Sequence, residues 1–215
     1  MDEAARWGAK RMVAEGYDRI GHRYLSAFSD DAANVRTVYL HKLFALLDHA
    51  SFVLELGCGA GIPVTRSLAE NHQVVGVDMS IGQLRLARTF VPGASLMQAD
   101  MSALHFAPGS FDAVTAFYAL THVPREEHAR LLEGICSWLR PGGAFLATMG
   151  CGDDPGSVED GWLGVPMFFS HYGAETNQQL VREAGFVLVE ADIVTETEHE
   201  DEEVSFLWVV AQKPE

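Results

Sequence analysis

Residues 53–61, Val-Leu-Glu-Leu-Gly-Cys-Gly-Ala-Gly, constrain the fold of this chain more than any other stretch. An apolar run meets glycines at 57, 59 and 61, which describes a buried strand ending in a turn whose backbone comes close to something else. Ile62-Pro63 then opens a helix, because proline is tolerated in a first turn whose amide hydrogens have no helical partner. Strand, glycine turn and helix start follow in the order that open α/β sheets use to bind nucleotides.

The same alternation continues downstream. Gln73–Val77 reads as a second strand ending at Asp78, and Ser80 with Gln83 makes a capping pattern for a helix from Ile81 to about Phe90. Ser95–Gln98 and Phe111–Ala116 read as strands, Pro124 opens a helix with Glu126 and Glu127 in its first turn, and Pro141-Gly142-Gly143 reads as a sharp stop before a strand at Ala144–Met149. A helix over Ala174–Ala184 ends at Gly185. Strands near Val187–Val194 and Val204–Ala211 then flank the acidic tract 196–203 without a helix between them, which implies an antiparallel pair with a solvated turn. The expected fold is α/β: a seven-stranded, mostly parallel, Rossmann-like sheet with helices on both faces and a terminal antiparallel strand pair.

Two segments stand outside that rhythm. Apolar positions at Val13, Tyr17, Ile20, Tyr24, Leu25 and Phe28 mark one face of an amphipathic helix, and Asp30 or Asp31 can cap a second helix from Val35 to about His49. These helices either pack on the sheet with snorkelling tips or form a lid over the ligand. Residues 150–173 form a loop too apolar for a spacer, with Trp162, Phe168, Phe169, His171 and Tyr172, and long loops of that kind are usually lids or binding loops.

The chain of 215 residues has room for one domain with a large core, and its 15 Lys plus Arg against 30 Asp plus Glu leave a net charge of -15. Nucleic acid is therefore not an expected partner, since phosphate binding relies on Lys and Arg. No apolar run approaches the about 20 residues of a membrane span, so no membrane partner is expected. Cys58, Cys136 and Cys151 show no metal-ligand spacing, and the first residues do not read as a signal peptide, which points to a cytoplasmic setting. The oligomeric expectation is a monomer or homodimer.

The strand ends carry the chemistry. Asp78 can accept hydrogen bonds from both hydroxyls of a ribose or serve as a helix-start residue. Asp100, after the third strand, can accept from an exocyclic adenine amine or sit as a solvated turn residue, and Met79 and Met101 offer soft apolar faces to a ring.

These blocks together resemble the class I methyltransferases that use S-adenosylmethionine, particularly those acting on small molecules. The resemblance covers about residues 50–215 and is carried by 53–61, Val75-Gly-Val-Asp-Met-Ser80, Gln98-Ala-Asp-Met101, Phe111-Asp-Ala-Val114, Leu139-Arg-Pro-Gly-Gly143 and the terminal strand pair. It implies a methyltransferase domain with a cofactor-binding core at 51–149 and a C-terminal helix and hairpin at 174–215, to which the residues themselves add a helical lid at 1–50 and a substrate loop at 150–173. It further implies that backbone near Glu55, Gly57 and Gly59 holds the methionine part of S-adenosylmethionine, Asp78 the ribose and Asp100 the adenine between Met79 and Met101. Phe117 would contact the methionine part or the sulfonium, and Tyr118 or His122 would face the acceptor.

A nicotinamide dehydrogenase shares a glycine turn and a distal acid, but its pattern wants a third glycine at position 62, which is Ile62. A cofactor-binding module without activity stays open. Catechol-type metal chemistry lacks its acids after the fourth strand, and the Pro-Pro-Tyr arrangement for amino groups of nucleic acid is missing, so no metal is expected. The acceptor is expected to be a small, partly apolar molecule, methylated on O, N or S and met by Trp162, Phe168 and Tyr172. His122 and His171 are the candidates for a base if one is used, and Tyr17 and Tyr24 could hydrogen-bond the cofactor or acceptor from the lid.

Overall fold

The computed structural model describes residues 1–27, 35–197 and 203–215. Expectations resting on Phe28, on Asp30 or Asp31 as a cap, and on the middle of the acidic tract fall outside those residues. The strands are β1 (Phe52–Leu56), β2 (Gln73–Asp78), β3 (Ser95–Gln98), β4 (Phe111–Ala116), β5 (Leu139–Gly150), β6 (Asp154–Glu159), β7 (Met167–His171), β8 (Val187–Thr197) and β9 (Glu203–Gln212). Seven of them form one sheet in the order β3-β2-β1-β4-β5-β9-β8, and β6 with β7 forms a separate pair. Within the large sheet β9 runs antiparallel to both β5 and β8, while the other neighbours are parallel. The chain therefore builds outward from β1 through β2 to β3, then crosses back to β4. That reversal opens a crevice at the strand ends between β1 and β4.

The helices are α1 (Glu3–Ile20), α2 (Arg23–Ala27), α3 (Val35–Phe44), α4 (Val64–Ala69), α5 (Ile81–Phe90), α6 (His128–Trp138) and α7 (Ala174–Glu183). The two-residue period of a strand sends neighbouring side chains to opposite faces. Val53 accordingly packs with Leu40 and Leu43 of α3 and Leu68 of α4, whereas Leu54 packs with Leu132 and Ile135 of α6 and Val181 of α7. Covering both faces explains why the central strands read as nearly continuous apolar runs. Full burial of a side chain such as Leu54 contributes about 1.5–3 kcal/mol.

Five sequence expectations change. The first helix begins at Glu3, not Val13, with the Asp2 carboxylate accepting the Ala5 amide hydrogen at 2.8 Å. Its early turns bury Ala9 and Lys10, which leave no apolar stripe to read. That helix stops at Gly21, whose φ is +54°, so the expected continuous face is divided between α1 and α2. The helix α3 ends at Phe44, short of His49. Pro141-Gly142-Gly143 is a bulge inside β5 rather than a stop before it, with Leu139 already paired to Phe111.

The last change concerns residues 150–173, expected as a loop. They fold into the β6–β7 hairpin. Its Val165, Met167 and Phe168 are buried against Ala9, Val13 and Ile20 of α1. The apolar content of this segment is thus the core between α1 and the hairpin.

Candidate functional site

A cleft of about 1060 Å³, counting its open mouth, lies over the ends of β1, β2 and β4 and beneath α1. Its floor is the glycine turn. Gly57, Gly59 and Gly61 all have positive φ (+71°, +52° and +78°), a conformation that only glycine adopts without strain. Gly57 is further constrained, because a Cβ there would stand 2.4 Å from Cβ of Ala119.

Three acids border this floor. Glu55, on β1, is 5% exposed and accepts the Thr65 hydroxyl hydrogen at 2.6 Å. Burial pushes its carboxyl up to about 8, against the lowering effect of Thr65 and with a further push from Asp78. Asp78, at the end of β2, accepts from the backbone N–H of Gly59 at 2.9 Å and of Ser80 at 2.8 Å. Burial raises it to about 6, with those two bonds opposing. Asp78 thereby ties the glycine turn to the start of α5 while lining the cleft.

Asp100 follows β3. One of its oxygens accepts from the Ser102 amide and hydroxyl, each at 2.9 Å, and the other accepts from Lys10 Nζ of α1 at 2.8 Å. Lys10 is 6% exposed and also donates to Ser102 Oγ and to the Glu127 carboxylate. Lys10 thus fastens α1 to the rim of the cleft, with Arg6 of the same helix also paired to Glu127. Toward the other end of the same helix, Asp18 accepts from Ser80 Oγ at 2.5 Å and from the Gly82 amide at 2.7 Å. Met79, Met101 and Phe117 line the same cleft.

The remaining wall is aromatic: Tyr17 from α1, Tyr24 from α2, and Tyr118 and His122 from the segment after β4. Tyr118 has φ +55° and donates its hydroxyl hydrogen to the Glu196 carboxylate, at 2.6 and 2.9 Å to the two oxygens. The Arg36 guanidinium, 8% exposed, lies 4.1 Å from the centre of the Tyr118 ring. His122 is 8% exposed, and its Nδ1 sits 2.9 Å from the carbonyl oxygen of Phe168. A carbonyl can only accept, so Nδ1 carries the hydrogen and Nε2 the lone pair. Tyr17 Oη lies 2.9 Å from Nε2 and therefore donates to it. Burial pulls the imidazole down to about 4, with the Phe168 carbonyl partly opposing.

Four expected residues do not line the cleft. His171 donates from Nδ1 to the Gly152 carbonyl at 2.8 Å and pairs with Asp154 at the base of the hairpin, so it closes that turn. Tyr172 lies against the Arg125 guanidinium and His128 instead. Trp162 stands behind the wall, edge-on to Tyr17 at 5.7 Å. Phe168 is buried in the core between α1 and the hairpin, and its carbonyl orients His122. All four were expected from a substrate loop, and the β6–β7 hairpin turns them away.

Sequence reasoning passed over Lys10, Arg36 and Asp18. A signal existed for the first: Lys10, Val13 and Tyr17 are spaced as one helix face, and each lines the cleft. No sequence pattern signals Arg36, whose position depends on how α3 crosses the sheet. Among the described residues there is no group of three or more His, Cys, Asp or Glu able to hold a metal, and no helix long and apolar enough to cross a membrane.

A family profile described as a methyltransferase domain matches residues 53–143. The trans-aconitate 2-methyltransferase of Azoarcus sp. (strain BH72) is 40% identical over 107 residues, which is 48% of this chain and 40% of that protein. An uncharacterized methyltransferase of Synechocystis sp. (strain PCC 6803) is 30% identical over 149 residues, 64% of this chain and 67% of that one. The chain spans about two fifths of the length of the first curated relatives it matches. Among solved structures, the 1,6-didemethyltoxoflavin-N1-methyltransferase of Burkholderia thailandensis, with 1,6-didemethyltoxoflavin and S-adenosylhomocysteine bound, superposes with a TM-score of 0.73 at 21% identity. That match covers 100% of this chain and 92% of that one.

Proposed function

This chain belongs to the class I S-adenosylmethionine-dependent methyltransferases, and from that premise we propose that it methylates a small, partly apolar molecule held between the glycine turn and α1. The observation that carries the reading is the convergence of Glu55, Asp78 and Asp100 with the Gly57–Gly61 turn on one cleft whose remaining wall is aromatic. The residues fit the cofactor. A Cβ built on Gly59 meets nothing within 4 Å, so the turn leaves open space for a ligand, and three carboxylates suit an ammonium, two ribose hydroxyls and an adenine amine.

In this reading Glu55 holds the methionine ammonium, Asp78 the ribose, and Asp100 the adenine amine beside Lys10, with Met79 and Met101 against the ring and Phe117 near the sulfur. S-adenosylmethionine supplies a methyl group already activated by a sulfonium. The chain's task is therefore mainly to position the acceptor and exclude water. Tyr17, Tyr24 and Tyr118 form the acceptor side, and Arg36 adds one cation there.

Calorimetry with S-adenosylhomocysteine tests the reading. The unmodified protein binds it, and Asp78→Ala weakens binding by about 100-fold or more, since hydrogen bonds to a charged group contribute about 1.5–3 kcal/mol each. Wild-type affinity in that variant removes the ribose assignment, and no binding by the unmodified protein overturns the reading.

A further inference from the structure

The hydrogen bonds around His122 have a fixed direction. The Phe168 carbonyl takes the Nδ1 hydrogen at 2.9 Å, and Nε2 takes the Tyr17 hydroxyl hydrogen at 2.9 Å. The Tyr17 hydroxyl is consequently the donor of that pair, its oxygen can still accept, and Tyr17 lines the cleft. Its position is well defined. The Tyr17 ring is held edge-on between His122 at 5.4 Å and Tyr24 at 5.6 Å. The neighbouring Asp18 is bound to the start of α5, and α1 is fastened at Lys10. The imidazole itself is backed by Phe169 at 4.9 Å.

We propose that Tyr17 is a catalytic residue that receives the proton of an aryl or enol hydroxyl acceptor, and that His122 is the positioning residue that takes the Tyr17 proton in turn. The proposal rests on the methyl-transfer reading. As the acceptor oxygen bonds to the methyl carbon, the carbon–sulfur bond breaks with its electron pair going to sulfur. The acceptor's proton passes to Tyr17 Oη, and the Tyr17 proton passes to His122 Nε2. The positive charge of the sulfonium is lost as the imidazolium appears, so the net charge of the cleft is unchanged, and the imidazolium later returns its proton to solvent.

The strength of the base selects the acceptor. His122, pulled down by burial to about 4, is neutral at ordinary pH and is a weak base. A hydroxyl oxygen that has gained a methyl group is a strong acid, so a weak base suffices at the moment of transfer. An alkylammonium product holds its proton as tightly as a lysine does, at about 10, and would not pass it to such a base. The relay thus favours oxygen over amine nitrogen as the methylated atom.

The test uses the full chain with S-adenosylmethionine and three probe acceptors of rising acidity: phenol, 4-chlorophenol and 4-nitrophenol. General acid–base catalysis typically contributes about 10²- to 10⁴-fold. Tyr17→Phe is expected to lower kcat with phenol by about that range and with 4-nitrophenol, which ionises unaided near neutral pH, by the least. Affinity for S-adenosylhomocysteine should stay within about twofold, and His122→Leu should show the same gradation. An equal loss with all three phenols, or methylation of none of them by a protein that binds S-adenosylhomocysteine, overturns the relay alone. Failure of the unmodified protein to bind S-adenosylhomocysteine overturns the methyl-transfer reading and the relay with it. Nitrogen-15 NMR of the histidines in ligand-free protein gives a readout independent of activity. His122 Nε2 should be the unprotonated, hydrogen-bonded nitrogen and should shift toward an unbonded one in Tyr17→Phe. A protonated Nε2, or no shift in the variant, overturns the proposal.

Discussion

The two walls of the cleft are built on different principles. The floor, from β1 through the glycine turn to Asp78, is made of backbone and strand ends that are close in sequence and held by the sheet register. The opposite wall is made of side chains from α1, α2, α3 and the segment after β4, brought together by the Lys10 network and by the core between α1 and the hairpin. The floor rests on backbone geometry that a single added methyl group at Gly57 would spoil. The α1 side is held by ion pairs and ring contacts.

The sharpest way to break this contrast is Gly57→Ala. The new Cβ would collide with Ala119, and the positive φ adds about 1–2 kcal/mol of its own. Calorimetry should find no S-adenosylhomocysteine binding, and retained affinity would mean that the floor is as adaptable as the lid. Lys10→Ala should act on the lid side. It leaves Asp100 and Glu127 without the cation that both meet, for a loss of about 3 kcal/mol in urea denaturation. Hydrogen exchange should speed up in α1 before it does in β1 or β4. Uniform acceleration would contradict the division into two walls.

A smaller effect comes from pH. Glu55 in the folded protein is raised to about 8 from an ordinary value of 4.5. Its contribution to folding stability is therefore fully present below about 4.5 and is lost as pH rises through about 8. Ligand binding has the opposite sign, because the ammonium of S-adenosylhomocysteine needs the carboxylate. Affinity should rise by up to tenfold per unit between about pH 6 and 8, with proton release visible as a buffer-dependent heat in calorimetry. A flat profile would remove Glu55 as the ammonium partner.

Much of the floor was readable from residue order. Alternate glycines, an acid at the end of the second strand and another after the third all lie within segments whose partners are set by the strand–helix rhythm, and Gly57, Gly59, Asp78 and Asp100 line the cleft. The lid side was partly readable. Tyr17, Tyr24, Tyr118 and His122 line the cleft, whereas His171, Trp162, Phe168 and Tyr172 do not. The apolar residues of 150–173 gave no hint whether they face a ligand or a neighbouring helix, and the hairpin settles that question by turning them onto α1.

Residue order alone determined the doubly covered sheet and the nucleotide-type turn, because strand period, glycine conformation and burial are local properties. The tertiary structure decided which atom of the aromatic wall can take a proton. That outcome depends on a carbonyl from β7 and a hydroxyl from α1 meeting the two sides of one imidazole after β4. Hydrogen-bond direction is set by contacts between distant segments, and no spacing within Val53–Gly61 or around His122 encodes it.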